Sequence, residues 1–112
     1  MKRSLIVALV LASLLFASQA HAAGWSANVR IASIEISNVN TAGTWLSFAS
    51  PPFASHTCSN KSQYLIGGGP DNVSKITSAA TEAFVSGRPV SVYWGGACSA
   101  GGYPVVLGLT IR

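Results

Sequence analysis

The sequence predicts a mainly β domain with one inserted helix, in the order strand, strand, strand, helix, strand, strand. Three observations lead there. Several short apolar runs repeat with a period of two, one stretch alone repeats at spacings of three and four, and eleven glycines and five prolines punctuate the intervals.

Val29, Ile31, Ile34 and Ile36 follow a period of two whose phase changes between Ala32 and Ser33, which predicts a long first strand with a bulge or bend. Asn38 to Gly43 is turn chemistry. Thr44 to Ala49, with Trp45, Leu46 and Phe48, is a second strand closing a hairpin with the first. An irregular loop from Ser50 to Ser62, opened by Pro51 and Pro52, carries Cys58. Tyr64 to Ile66 is a short third strand, ended by Gly67, Gly68 and Gly69.

From Asp71 to Ser86 the apolar positions Val73, Ile76, Ala80, Ala83 and Phe84 recur at helical spacing. Pro70 suits the first turn, Asp71 or Asn72 can satisfy or complement its free amides, Gly87 is placed as a left-handed stop, and Pro89 prevents continuation. Val90, Val92 and Trp94 then alternate with Ser91 and Tyr93 in a fourth strand. Glycines 95, 96, 101 and 102 bracket a loop containing Cys98. In the last strand Val105, Leu107, Leu109 and Ile111 alternate with Val106, Gly108, Thr110 and Arg112. Five short strands with a helix after the third form the pattern of a five-stranded OB-like barrel. Val73, Ile76, Ala80 and Phe84 are expected to plug one end of it.

The first 22 residues read as a secretory signal. Lys2 and Arg3 supply the positive start, Leu5 to Phe16 the apolar stretch, and Ala20, His21 and Ala22 the small-residue cleavage site. The apolar stretch is shorter than the ~20 residues a bilayer-spanning helix needs, so no membrane span is expected. Residues 23–112 are expected to form one domain, exported to the periplasm or beyond the cell. The formal charge of +4 includes Lys2 and Arg3; without them five Lys and Arg face three Asp and Glu. A surplus of two is too weak to predict nucleic-acid binding, and with 9% charged and 49% hydrophobic residues the chain is not a disordered polar one.

In an oxidising compartment Cys58 and Cys98 are expected to pair. They are not in C-x-x-C spacing, and two Cys with His56 cannot close a zinc site. The bridge would tie the loop after the second strand to the end of the fourth, closing a loop worth roughly 4 kcal/mol in the chain-entropy account.

The acid and base inventory is small. Glu35 alternates with Ile34 and Ile36 on a solvent side, Glu82 falls on the polar helix face, Asp71 fits the helix start, and His56 sits between Ser55 and Thr57 in a polar loop and is expected to be exposed. No G-x-S-x-G elbow is present, so no catalytic residues and no cofactor are expected. Gly67 to Gly69 lacks the following Lys and Ser/Thr of a phosphate loop and reads as a turn.

The aromatic residues are the remaining candidates. Trp45, Phe48 and Phe84 read as core. If Val90, Val92 and Trp94 face inward, Tyr93 faces out, and Trp25 and Tyr103 lie outside regular elements. An exposed aromatic ring beside small hydroxyls suits a sugar, whose apolar face stacks while Ser, Thr or Asn take the hydroxyls.

Two stretches carry a resemblance: Ala83-Phe84-Val85-Ser86-Gly87-Arg88-Pro89-Val90-Ser91-Val92-Tyr93, and the loop Gly96-Ala97-Cys98-Ser99-Ala100-Gly101-Gly102-Tyr103-Pro104 with the strand after it. They resemble the binding subunits of subtilase-type AB toxins and their small secreted relatives, over most of residues 25–112. That resemblance implies an OB-like barrel, a ring of five subunits, and a shallow pocket for sialylated glycans on each. It places Tyr93 near a glycan-contacting position and makes Ser26 the nearest hydroxyl to the other main contact, although the stretch around Ser26 departs from the family's N-terminal motif. The expected function is a secreted, non-catalytic binding module for glycan, with Trp25, Ser26, Tyr93 and Tyr103 as the expected ligand residues. The competing expectation is a stand-alone periplasmic structural or protein-interaction domain, inhibitor-like, presenting the Cys58 and Cys98 loops.

Overall fold

The computed structural model describes residues 23–38 and 42–112. The expected signal segment lies outside the described residues, as does the middle of the turn expected over 38–43. Among the described residues the chain is mainly β with one helix. The strands are β1 (Gly24–Trp25), β2 (Ile31–Ser37), β3 (Gly43–Phe48) and β4 (Tyr64–Ile66), followed by helix α1 (Pro70–Ser86), then β5 (Val90–Cys98) and β6 (Pro104–Ile111). The five expected strands and the helix occur in the expected order. The two-residue β1 is an addition, formed because Gly24 and Trp25 pair with Trp94 and Tyr93.

The strands make one six-stranded mixed sheet in the order β1-β5-β6-β4-β3-β2. All neighbours are antiparallel except β4 and β6, which run parallel with Leu65 opposite Val105 and Ile66 opposite Val106. The outermost strands of that order, β1 and β2, belong to one stretch of chain. Between them Ser26 N–H donates to Val92 O at 2.8 Å, and Val29 forms a bridge with Val90. The run from Gly24 to Ser37 therefore pairs first with β5 and then with β3.

Ala32 is the unopposed residue in the β2–β3 pairing, where Ile31 faces Phe48 and Ser33 faces Ser47; this is the phase change visible in the sequence. A second irregularity was not visible there. Tyr93 pairs with Gly108 but Trp94 pairs with Val106, so Leu107 has no partner and β6 changes phase at that point. The expected single face of Val105, Leu107, Leu109 and Ile111 is corrected accordingly. Val106 is fully buried, Leu109 and Ile111 pack against the core beyond the bulge, and Leu107 is exposed.

The core gathers Val29, Ile31, Leu46, Tyr64, Ile66, Val90, Val92 and Val106 from the sheet and Ile76, Ala80 and Ala83 from α1. They form a single cluster among the described residues. Two small alanines on the buried face let α1 lie close against the sheet, chiefly on β6 and β2. Phe84 is not the plug the sequence suggested: it is 45% exposed, because the buried helix face runs through 76, 80 and 83 and leaves 84 at its margin.

Pro70 opens α1 as expected, and no side chain caps its start. Asp71 instead pairs with Lys75 one turn on at 3.0 Å. Asn72 turns away, its Nδ2 donating to Gly67 O at 2.6 Å and Leu107 O at 3.3 Å, which ties the helix start to the bulge of β6. At the far end Gly87 adopts the left-handed conformation (φ 68°), and Arg88 N–H donates to Ala83 O at 2.9 Å, closing the helix as the sequence indicated. Cys58 and Cys98 are bonded, with 5.6 Å between Cα atoms, joining the loop after β3 to the end of β5. Among the described residues no helix is long and apolar enough to cross a membrane.

Candidate functional site

The pairing of β1 with β5 and of β5 with β6 lines up Trp25, Tyr93 and Gly108 in one row across three strands. Residues opposite one another in a sheet project to the same face. Val90, Val92 and Trp94 on β5 are buried in the interior, so this row looks outward. Trp25 is 53% exposed. Its indole stands edge-on to the Tyr93 ring, with centroids 5.5 Å apart and planes at 65°. The indole extends over Gly108: a Cβ there would lie 3.1 Å from Trp25 Cη2 and 3.2 Å from Tyr93 Cβ. The missing side chain is what lets the ring settle against the strand. A glycine inside a strand often marks such a close approach.

Leu107, pushed out by the bulge, continues this apolar surface beside Gly95, where a Cβ would come within 2.8 Å of Leu107 Cδ1. The result is an outward ledge of Trp25, Tyr93 and Leu107 on a glycine floor.

Ser26 adjoins this ledge with a hydroxyl already engaged. Its Oγ donates to Ala27 O at 2.7 Å and accepts from Val92 N–H at 3.0 Å, while its carbonyl accepts from Ser91 Oγ at 2.6 Å. These bonds fasten β1 to β5 and thereby hold Trp25 opposite Tyr93. Tyr103 is not part of the group. It precedes β6 and meets Trp45 of β3 edge-on, with centroids 5.9 Å apart. Trp45 is itself buried, and its Nε1 is a buried donor without a hydrogen-bond partner among the described residues. Trp25, Tyr93 and Ser26 thus come together, and Tyr103 stands elsewhere.

His56 departs from expectation: it is 5% exposed rather than in solvent. The ring packs edge-on against Tyr64 and Trp94 at 5.6 and 5.9 Å, and Nδ1 accepts from Cys58 N–H at 3.2 Å. An accepting Nδ1 means a neutral ring with its proton on Nε2. Burial, and secondarily the positive charge of Lys61, whose Nζ donates to the His56 carbonyl, hold its pKa below the ordinary 6.5. Burial pushes the Tyr64 phenol above its ordinary 10, against the opposing effect of the bond it accepts from Phe53 N–H. Phe48 and Phe53 complete this cluster around Tyr64. His56 therefore belongs to an aromatic packing unit beneath the disulfide.

Glu35 on β2 and Asp71 and Glu82 near the two ends of α1 are exposed, and among the described residues no three His, Cys, Asp or Glu side chains stand close enough to hold a metal. The chemistry the ledge offers is that of contact: an aromatic edge and face, an aliphatic neighbour, and backbone polar groups. The chain matches no protein-family model and no curated protein.

Proposed function

We propose that residues 23–112 form a secreted, non-catalytic binding module that grips a glycan on the Trp25–Tyr93 ledge, on a scaffold best read as a five-stranded OB-like barrel. The barrel reading is supported by the Gly24 to Ser37 run, which pairs with β5 and then with β3 and so touches both ends of the strand order, and by the parallel pairing of β4 with β6. β1 and β2 count as one bent strand in that reading.

The observation that carries the binding proposal is the exposed indole of Trp25, held in place by Tyr93 and Gly108 and not drawn into the core. Exposing a large aromatic costs burial energy that a folded chain would otherwise recover, and a sugar's apolar face can cover it on binding. A catalytic role finds no support in His56, whose Nδ1 accepts from Cys58 N–H and whose ring packs edge-on against Tyr64 and Trp94. A glycan array probed with the folded protein tests the proposal. Defined glycans should be retained, and Trp25→Ala and Tyr93→Ala should lose them while melting like the wild type. Retention equal to wild type in both variants, or no retention by the wild type, would remove it.

A further inference from the structure

The charge of this protein is unevenly placed. Arg30, Arg88 and Arg112 are far apart in sequence, yet the fold brings them to one corner, where α1 ends. The Arg30 guanidinium donates to Gly87 O, the Arg88 Nε donates to Arg112 O at 3.0 Å, and Arg112 N–H donates to Pro89 O at 2.9 Å. All three are exposed. Among the described residues the one ion pair between side chains is Lys75 with Asp71, so no Asp or Glu is paired with these guanidiniums, although Arg88 reaches the main-chain carboxyl of Arg112. A helix C-terminus carries only about half a negative charge, which a single guanidinium such as that of Arg30 offsets. Arg88 is held in part by the Arg112 carboxyl oxygen, and among the described residues the Arg112 guanidinium remains for something else.

The same helix end bears apolar groups facing water. Val85 is 80% exposed, and Phe84 beside it is nearly half exposed. Soluble phosphate or a nucleic-acid strand would satisfy the arginines and leave Phe84 and Val85 uncovered. A bilayer surface offers both an anionic layer for the arginines and an acyl boundary just beneath it.

We propose that this corner, formed by Arg30, Arg88 and Arg112 with Phe84 and Val85, is a docking surface for anionic phospholipid bilayers. Guanidinium forks bind headgroup phosphates while the two apolar side chains enter the interface. The contact is peripheral and lies apart from the Trp25 ledge.

The test is cosedimentation of residues 23–112 with vesicles of phosphatidylcholine alone and of phosphatidylcholine with one-third phosphatidylglycerol. Binding is expected to the anionic vesicles only and to fall steeply at high salt. Arg112→Gln should weaken it by roughly fivefold, the scale of one charge at an anionic surface. Val85→Asn, which removes the apolar side chain without changing the charge, should weaken it too, while leaving any binding to soluble polyphosphate unchanged. Both residues are exposed, so neither variant depends on repairing the core, and a thermal melt confirms that each is folded. Trp25→Ala should bind vesicles as wild type does, which separates this proposal from the glycan reading. Equal binding to neutral and anionic vesicles, no binding to either, or indifference to Val85→Asn would overturn it. The last result would point to a soluble polyanion as the partner.

Discussion

Trp25 on β1 stands opposite Tyr93 on β5, 5.5 Å between ring centroids, and its indole passes beyond Tyr93 to lie above Gly108 on β6. One exposed ring thereby joins β1 to two strands far along the chain from it. The position of that ring depends on an absent side chain as much as on a present one.

Gly108→Val is expected to lift the indole off the sheet, because even its Cβ would meet Trp25 and Tyr93 at 3.1 and 3.2 Å. Glycan affinity should drop about tenfold or more, equivalent to ~1.4 kcal/mol, with the secondary structure intact by circular dichroism. Unchanged affinity would mean that the placement of the indole is irrelevant to binding.

The disulfide supports a prediction about stability. Cys58 and Cys98 are 40 residues apart in sequence, so Cys98→Ser should cost about 2–4 kcal/mol. For a domain of this size that is a fall in Tm of roughly 10–25 °C. A calorimetric melt with the same Tm as wild type would show the bridge to be energetically idle.

Helix α1 separates two substitutions that the sequence alone makes look equivalent. Ile76→Ala removes a buried side chain and should cost about 2–5 kcal/mol. Phe84→Ala, at a half-exposed position, should cost about 1 kcal/mol or less. Urea unfolding of both variants checks the order, and a larger loss for Phe84→Ala would contradict the placement of the helix face.

His56 predicts a pH dependence. Its folded pKa is depressed by burial and by Lys61, so as pH falls below the ordinary 6.5 the unfolded chain takes up a proton that the folded one refuses. Stability is therefore full above about pH 6.5 and declines below it, until the folded pKa is reached. His56→Phe should flatten this acid limb in denaturant titrations across that range. An equally steep limb in the variant would assign the effect to other groups.

These outcomes also mark how far the residues could be read before the coordinates. Local periodicity and turn residues were enough for the five main strands, the helix with its Pro70 and Gly87 ends and the phase change at Ala32, and two lone cysteines were enough for one bridge. Periodicity failed where long-range pairing decides the matter. The bulge at Leu107 arises from the register between β5 and β6, so the alternation in β6 pointed to one continuous face where there are two. Phe84 has helical spacing, but which flank of the apolar stripe is buried depends on how α1 lies against β6 and β2. His56 sits in a polar run and is buried because the disulfide and the Phe53 turn fold that run over Trp94 and Tyr64. At the ledge, Trp25 and Tyr93 could be picked out as outward aromatics. Their meeting, and the separation of Tyr103, depend on strand order. Gly108 was the one available local signal, a glycine inside a regular strand.

The most direct test of the binding proposal is an amide and indole NMR titration of the folded protein with the best glycan found on the array. The account predicts shifts concentrated at the Trp25 indole and the Tyr93 and Gly108 amides, with the buried Trp45 and Trp94 indoles unmoved. Shifts that leave Trp25 untouched, whether centred on Tyr103 or elsewhere on the surface, would contradict it.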